Sequence, residues 1–223
     1  MTRTCLKDRF LPSYTKGEEI FNMATHIVGG GIGVVTLVLC ILISCFKGSL
    51  TSLLCGIVFG VSMISIYSVS SIYHGLHDGM AKRVFQVLDH CTIYFLIAGT
   101  YTPMLLCSLI RVNATAAWIT FAAVWGLTAL AVTLNAIDIK RYKVFSMICY
   151  IGIGWAIIFS IGDMYTALTP TGFWLLLSGG IVYTLGTVFY KAGKKVNYFH
   201  SIFHIFTLVG SILHALSVML YAL

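Results

Sequence analysis

Charge is scarce in this chain. Asp, Glu, Lys and Arg make up 9% of 223 residues, whereas soluble domains carry about a quarter, and that shortage excludes an ordinary water-soluble domain. Proline is scarcer still, at three residues, so little interrupts the long helices that the apolar runs imply. The seven cysteines (Cys5, Cys40, Cys45, Cys55, Cys91, Cys107 and Cys149) form no C-x-x-C pair. Most sit inside apolar runs, where they read as small buried hydrophobes. Cys45 and Cys55 flank one short loop and are close enough in sequence to pair. Residues 1–17 lack an apolar h-region, so the first run is expected to remain as an uncleaved span. No internal repeat, low-complexity segment or linker to a second domain is evident. The expected organisation is a cytoplasmic lead-in over 1–23 and a transmembrane domain over 24–223.

What is present is a series of runs long enough to cross a bilayer, which takes about 20 residues. They cover 24–46, 50–73, 84–110, 112–137, 144–166, 171–190 and 198–222, and predict an all-α integral membrane protein, a bundle of seven transmembrane helices. Thr15 to Glu18 fits a capping box that starts the first helix. Pro103 falls inside the third run and is expected to kink it. Gly29, Gly30, Gly31, Gly33, Gly56 and Gly60 offer small faces for close packing. With the N-terminus inside, the inner segments hold Arg3, Lys7, Arg9, Lys16, Lys82, Arg83, Lys140, Arg141, Lys143, Lys191, Lys194 and Lys195, and the outer ones only Lys47 and Arg111. That asymmetry puts the N-terminus in the cytoplasm and the C-terminus outside. The orientation is the reverse of a G-protein-coupled receptor, and the last run has no lysine for a retinal Schiff base. The net charge of +7 is a topology signal, with some attraction to anionic headgroups; nucleic acid is not an expected partner.

The outer halves of the runs are almost free of ionisable residues. At the inner level, Ser70 and His74 end the second run, Asp89 and His90 open the third, His200 and His204 open the seventh, and Glu19, Asn22 and His26 lead the first. Ionisable residues at membrane depth are costly and face the bundle interior or a cavity. His200 and His204, at i and i+4, share a helix face. Together with His74 they supply three imidazoles, a donor set suited to catalytic zinc with one open position. Asp89 is then a candidate to orient or deprotonate an attacking water. Ser70, one turn before His74, is a candidate to hold a ligand's second nitrogen or the Asp89 carboxylate, and Tyr67 continues that stripe. The plainer alternatives are an Asp89 paired with Arg83 or Lys82, a His26 that supports the site or caps a helix, His77 and His90 as interfacial hydrogen-bonders, and His214 as a packing bond or a polar step in a cavity. Haem does not suit two ligands one turn apart on a single helix.

These residues resemble a known family. Glu19-x-x-Asn22-x-x-Thr25-His26, Ser70-x-x-x-His74, Asp89 and His200-x-x-x-His204 are similar to the motifs of the hemolysin III group within the progestin and adipoQ receptor family, and the resemblance covers nearly the whole chain. It implies seven helices with a cytoplasmic N-terminus and a zinc ion near the cytoplasmic face held by His74, His200 and His204, with Asp89 contacting water at the metal. It also implies kinship with alkaline ceramidases, which cleave lipid amides. The expectation is a multi-pass cell-membrane protein acting as a zinc-dependent hydrolase of a lipid amide or ester. A non-catalytic sensor or membrane-perturbing hemolysin with a structural zinc, and a transporter or channel, are the competing readings.

Overall fold

The computed structural model describes residues 4–193 and 195–223, all of them helix, turn or loop. Arg3 and Lys194, counted among the inner charges above, lie outside the described residues. Among the described residues seven α-helices follow one another: α1 Lys16–Phe46, α2 Leu50–Gly75, α3 Met80–Pro103, α4 Ala114–Asp138, α5 Lys143–Gly154, α6 Ile161–Ala192 and α7 Phe199–Ser217. They form six stretches long and apolar enough to cross a membrane. The fifth and sixth sequence runs share one such stretch of 50 residues, Lys143–Ala192. As a straight helix it would measure about 75 Å, against a hydrocarbon core of about 30 Å. It is not straight. A 3-10 segment, Ala156–Ser160, joins α5 to α6, and α6 breaks at Thr169, whose φ of 62° and ψ of 162° are not helical, just before Pro170.

The ends follow from local chemistry. The Thr15–Glu18 capping box forms in full, with the Thr15 hydroxyl accepting from the Glu18 amide and the Glu18 carboxylate accepting from the Thr15 amide. Ser49 and Asn113 cap α2 and α4 in the same manner, and Asn113 also donates to Asp163 at 2.8 Å. Pro103 ends α3, and the chain continues as a π-helical turn over Met104–Ser108, since proline supplies no amide to the ladder.

Helix α1 packs on α2 through glycine. A Cβ on Gly60 would lie 2.7 Å from the Leu37 side chain, and one on Gly33 would lie 3.1 Å from Ile64. Gly31, by contrast, faces open space. Phe59, Met63, Tyr67, Tyr94, Met104 and Leu105 fill the centre. Polar side chains join α4 to α5 and α3: Ser146 donates to Asn135 at 2.8 Å, and Asn135 donates to the Tyr94 hydroxyl at 3.3 Å. Cys45 is exposed and does not pair with Cys55. Cys55 is turned into the core, because the helix that begins at Leu50 rotates it away from the loop.

The lead-in is strapped under the N-terminal end of α3 and the C-terminal end of α4. The Thr4 amide donates to Asp138 at 2.8 Å, Arg83 donates to the Arg9 carbonyl at 3.1 Å, and Gln86 donates to the Phe10 carbonyl at 3.2 Å. This strap and residues of α2, α3, α5, α6 and α7 line a cavity of about 860 Å³.

Candidate metal centre

Two helices meet at one end of the cavity. The last turn of α2 brings His74, and the first turns of α7 bring His200 and His204; all three are buried. One ring nitrogen from each lies within 4.8 Å of the others. An ion with bonds of about 2.1 Å to nitrogen needs only modest closure of such a group. The position of α7 is set from α1. Glu18 accepts from the Tyr198 amide at 2.7 Å, and Tyr198 holds a left-handed φ of 63° just before α7 starts. Gly193 allows the close approach on the other side, since a Cβ there would sit 2.6 Å from the His200 amide nitrogen.

The protonation pattern suits a cation. His74 Nδ1 lies 2.6 Å from the Glu19 carboxylate, so that nitrogen carries the proton and Nε2 carries the lone pair. Among the described residues Nε2 has no partner, although it is buried. The Nε2 atoms of His200 and His204 face each other at 2.9 Å, and two lone pairs at that distance need a proton or a cation between them. His204 Nδ1 contacts His26 Nε2, which leaves His204 Nε2 free to face inward. An orphaned buried nitrogen beside two opposed ones fits a trihistidine metal site.

The supports differ from those the sequence pointed to. The second nitrogen of His74 is held by Glu19 and not by Ser70, which is buried and lines the cavity. Lys82 then grips the other Glu19 oxygen at 2.6 Å and donates to the Leu76 carbonyl at 2.9 Å. Asp89 is half-buried on the cavity wall. Among the described residues neither cation of the plainer alternative pairs with it: Lys82 pairs with Glu19 and Asp78, and the Arg83 Nε–H goes to a carbonyl. His26 does not cap a helix, since Thr15 does; it packs edge-on against Tyr67 with ring centroids 5.1 Å apart. Tyr67 in turn donates to Ser211 at 2.7 Å. His90 Nδ1 bonds the Gln86 carbonyl at 2.8 Å, and His214 Nε2 bonds the Leu176 carbonyl at 3.1 Å on the cavity wall.

Tyr14, Glu19 and Lys82 are the residues whose roles sequence reasoning missed. Tyr14 stacks on the His200 ring, centroids 4.7 Å apart and 21° between planes. Burial raises its phenol well above the usual tyrosine range, so it remains a hydrogen-bond donor. Glu19 precedes Asn22 and His26 by three and seven residues, a helical spacing that puts all three on one face. That spacing was the available signal.

A helical membrane bundle with a buried trihistidine group that can hold a metal ion, opening onto an intramembrane cavity, is the class these features define. A match to the family described as haemolysin-III related covers residues 14–215. The chain is 36% identical over 206 residues to Hemolysin-3 of Bacillus cereus, covering 92% of each chain. It is 36% identical over 198 residues to the Hemolysin-3 homolog of Bacillus subtilis (strain 168), covering 89% of this chain and 91% of that one. The monocyte to macrophage differentiation factor of Homo sapiens is 26% identical over 170 residues, 74% of this chain and 68% of its own length. The chain belongs to the haemolysin-III related family, within the progestin and adipoQ receptor grouping.

Proposed function

We propose that this protein is a zinc-dependent intramembrane hydrolase of a lipid amide or ester in the cell membrane, with His74, His200 and His204 holding the ion. The observation that carries the proposal is the orphaned His74 Nε2 beside the His200–His204 pair, at the end of a cavity of about 860 Å³. That volume is within the range of small-molecule sites. The wall of the cavity is largely apolar, with Ile66, Ile93, Leu96, Ile97 and Met104 among its residues, which suits an acyl chain. Zinc with an open fourth position supplies Lewis acidity and brings the pKa of water to about 7.

The remaining work falls to the chain's own residues. Asp89 takes a proton from the water as its oxygen attacks the scissile carbonyl carbon. It returns that proton to the leaving amine or alcohol as the bond to carbon breaks. Ser70 offers a hydroxyl to the substrate, and Glu19 keeps His74 in the tautomer that presents Nε2. Tyr14 covers the open face of His200 and helps exclude bulk water. A seven-span topology with the N-terminus in the cytoplasm belongs to the same proposal. The break at Thr169–Pro170 supports it by letting Lys143–Ala192 cross twice.

The test is fatty-acid release by purified, zinc-loaded protein from a panel of ceramides and acyl amides. Asp89→Asn should keep its zinc and lose about 10²- to 10⁴-fold in rate, the usual worth of a general base. Equal release by His204→Ala would sink the proposal. A second reading has a specific observation behind it. The three imidazoles come only from α2 and α7, braced from α1 by Glu19 and His26, so a bound ion would also clasp the two ends of the chain. In that case the protein is a membrane sensor or membrane-perturbing effector, and Asp89→Asn leaves its phenotype intact.

A further inference from the structure

The cavity has a second polar end, distinct from the histidines. Arg9 is 7% exposed and lines the cavity from the strap. Its Nη2 donates to the carbonyls of Ala136 and Ile137, at 3.2 and 2.8 Å, at the C-terminal end of α4. The Nε and Nη1 nitrogens are buried, and among the described residues they have no partner. Buried guanidinium donors are nearly always satisfied, and helix-end carbonyls neutralise only part of a full charge. Lys140 and Lys143 line the same mouth and are exposed, as is Asp8, while Asp89 and His90 lie further in. The mouth is therefore net cationic, and its most buried cation has N–H donors to spare.

We propose that Arg9, assisted by Lys140 and Lys143, binds the oxyanion of an anionic amphiphile whose chain occupies the apolar cavity. Guanidinium recognises carboxylate and phosphate oxygens through charge-assisted hydrogen bonds. Two sources share that chemistry, a fatty-acid carboxylate and the phosphate of an inner-leaflet headgroup. The proposal deepens the lipid-hydrolase reading by giving the lipid a charged end, and its test does not depend on turnover.

Binding is measured at equilibrium on the full-length protein in neutral detergent, with ligands that carry no cleavable bond: oleate, an ether-linked alkyl glycerol phosphate, and the uncharged ether-linked alkyl glycerol. Wild type should bind at least one anionic ligand about ten-fold or more tighter than the neutral one. A preference for oleate assigns the site to a free carboxylate, and a preference for the phosphate assigns it to a headgroup. Arg9→Gln keeps a donor for the α4 carbonyls and should abolish the preference, with zinc content and affinity for the neutral ether unchanged. The double variant Lys140→Gln/Lys143→Gln changes only exposed side chains and should weaken the preference several-fold. Equal binding of charged and neutral ligands by wild type, or an undiminished preference in Arg9→Gln, overturns the proposal. Failure of fatty-acid release alone would leave these results standing and count only against hydrolysis.

Discussion

Glu19→Gln is the most discriminating perturbation, because one carboxylate serves two partners with different consequences. Its Oε2 orients His74 at 2.6 Å and its Oε1 pairs with Lys82, also at 2.6 Å. Glutamine preserves the shape and the single acceptor that one partner needs, but no charge. Losing the carboxylate behind a metal-binding imidazole costs about 10- to 100-fold in affinity, which is about 1.4–2.7 kcal/mol. The loss also leaves the Lys82 ammonium, whose side chain is only 4% exposed, with the Leu76 carbonyl and a looser contact to the exposed Asp78 at 3.8 Å. Breaking a buried pair costs about 3–5 kcal/mol. The lower end applies here, since the Glu19 side chain is 18% exposed. The double variant Glu19→Gln/Lys82→Met separates the two effects. Removing the Lys82 cation should recover most of the stability, as read by thermal unfolding in detergent, and none of the metal affinity, as read by chelator competition and elemental analysis. A Glu19→Gln protein that binds zinc within about three-fold of wild type would refute the role given to this carboxylate, since the expected loss starts at about ten-fold.

Three further outcomes are expected. Gly193→Ala should displace the start of α7, because its Cβ would meet the His200 amide at 2.6 Å; zinc content and melting temperature should fall together, and an unchanged zinc content would contradict the placement of His200. Thr169→Gly should stabilise the protein by about 1–2 kcal/mol, since its backbone angles lie in a region that costs a non-glycine residue about 1–3 kcal/mol; the check is thermal unfolding, where a loss would count against the break. Removing zinc with a chelator should lower stability by about 4 kcal/mol relative to protein held at zinc a thousand-fold above its dissociation constant, and His200→Ala should be insensitive to the same treatment.

Much of the architecture was legible because a bilayer imposes length and depth on each segment. The presence of the long apolar helices, the Thr15 cap and the shared face of His200 and His204 follow from spacing along single helices. The features that escaped depend on which helices touch. Glu19 meets His74 across 55 positions and His26 meets His204 across 178, and no local period encodes those distances. Tyr14 looked like part of a polar leader because its stacking partner, His200, stands at the far end of the chain. The burial of Cys55 was hidden for the same reason: sequence proximity offered Cys45 as a partner, while helix rotation turned Cys55 into the core. The break at Thr169, just before Pro170, falls between the fifth and sixth runs and was not anticipated from the sequence. A single non-helical residue interrupts α6 there, so the fifth and sixth runs belong to one apolar stretch.

The bond from Glu18 to the Tyr198 amide spans 180 positions, and it has a consequence for biogenesis. A ribosome finishes the first helix long before it makes the last, so a nascent chain holds Glu18, Glu19 and His26 in the membrane without their final neighbours. Only when the last helix inserts do two of the three imidazoles arrive, and the carboxylate that began the first helix then docks the last. Completion of the trihistidine group thus becomes a terminal event of assembly, and a chain halted before Tyr198 would be inserted with only one of its three imidazoles.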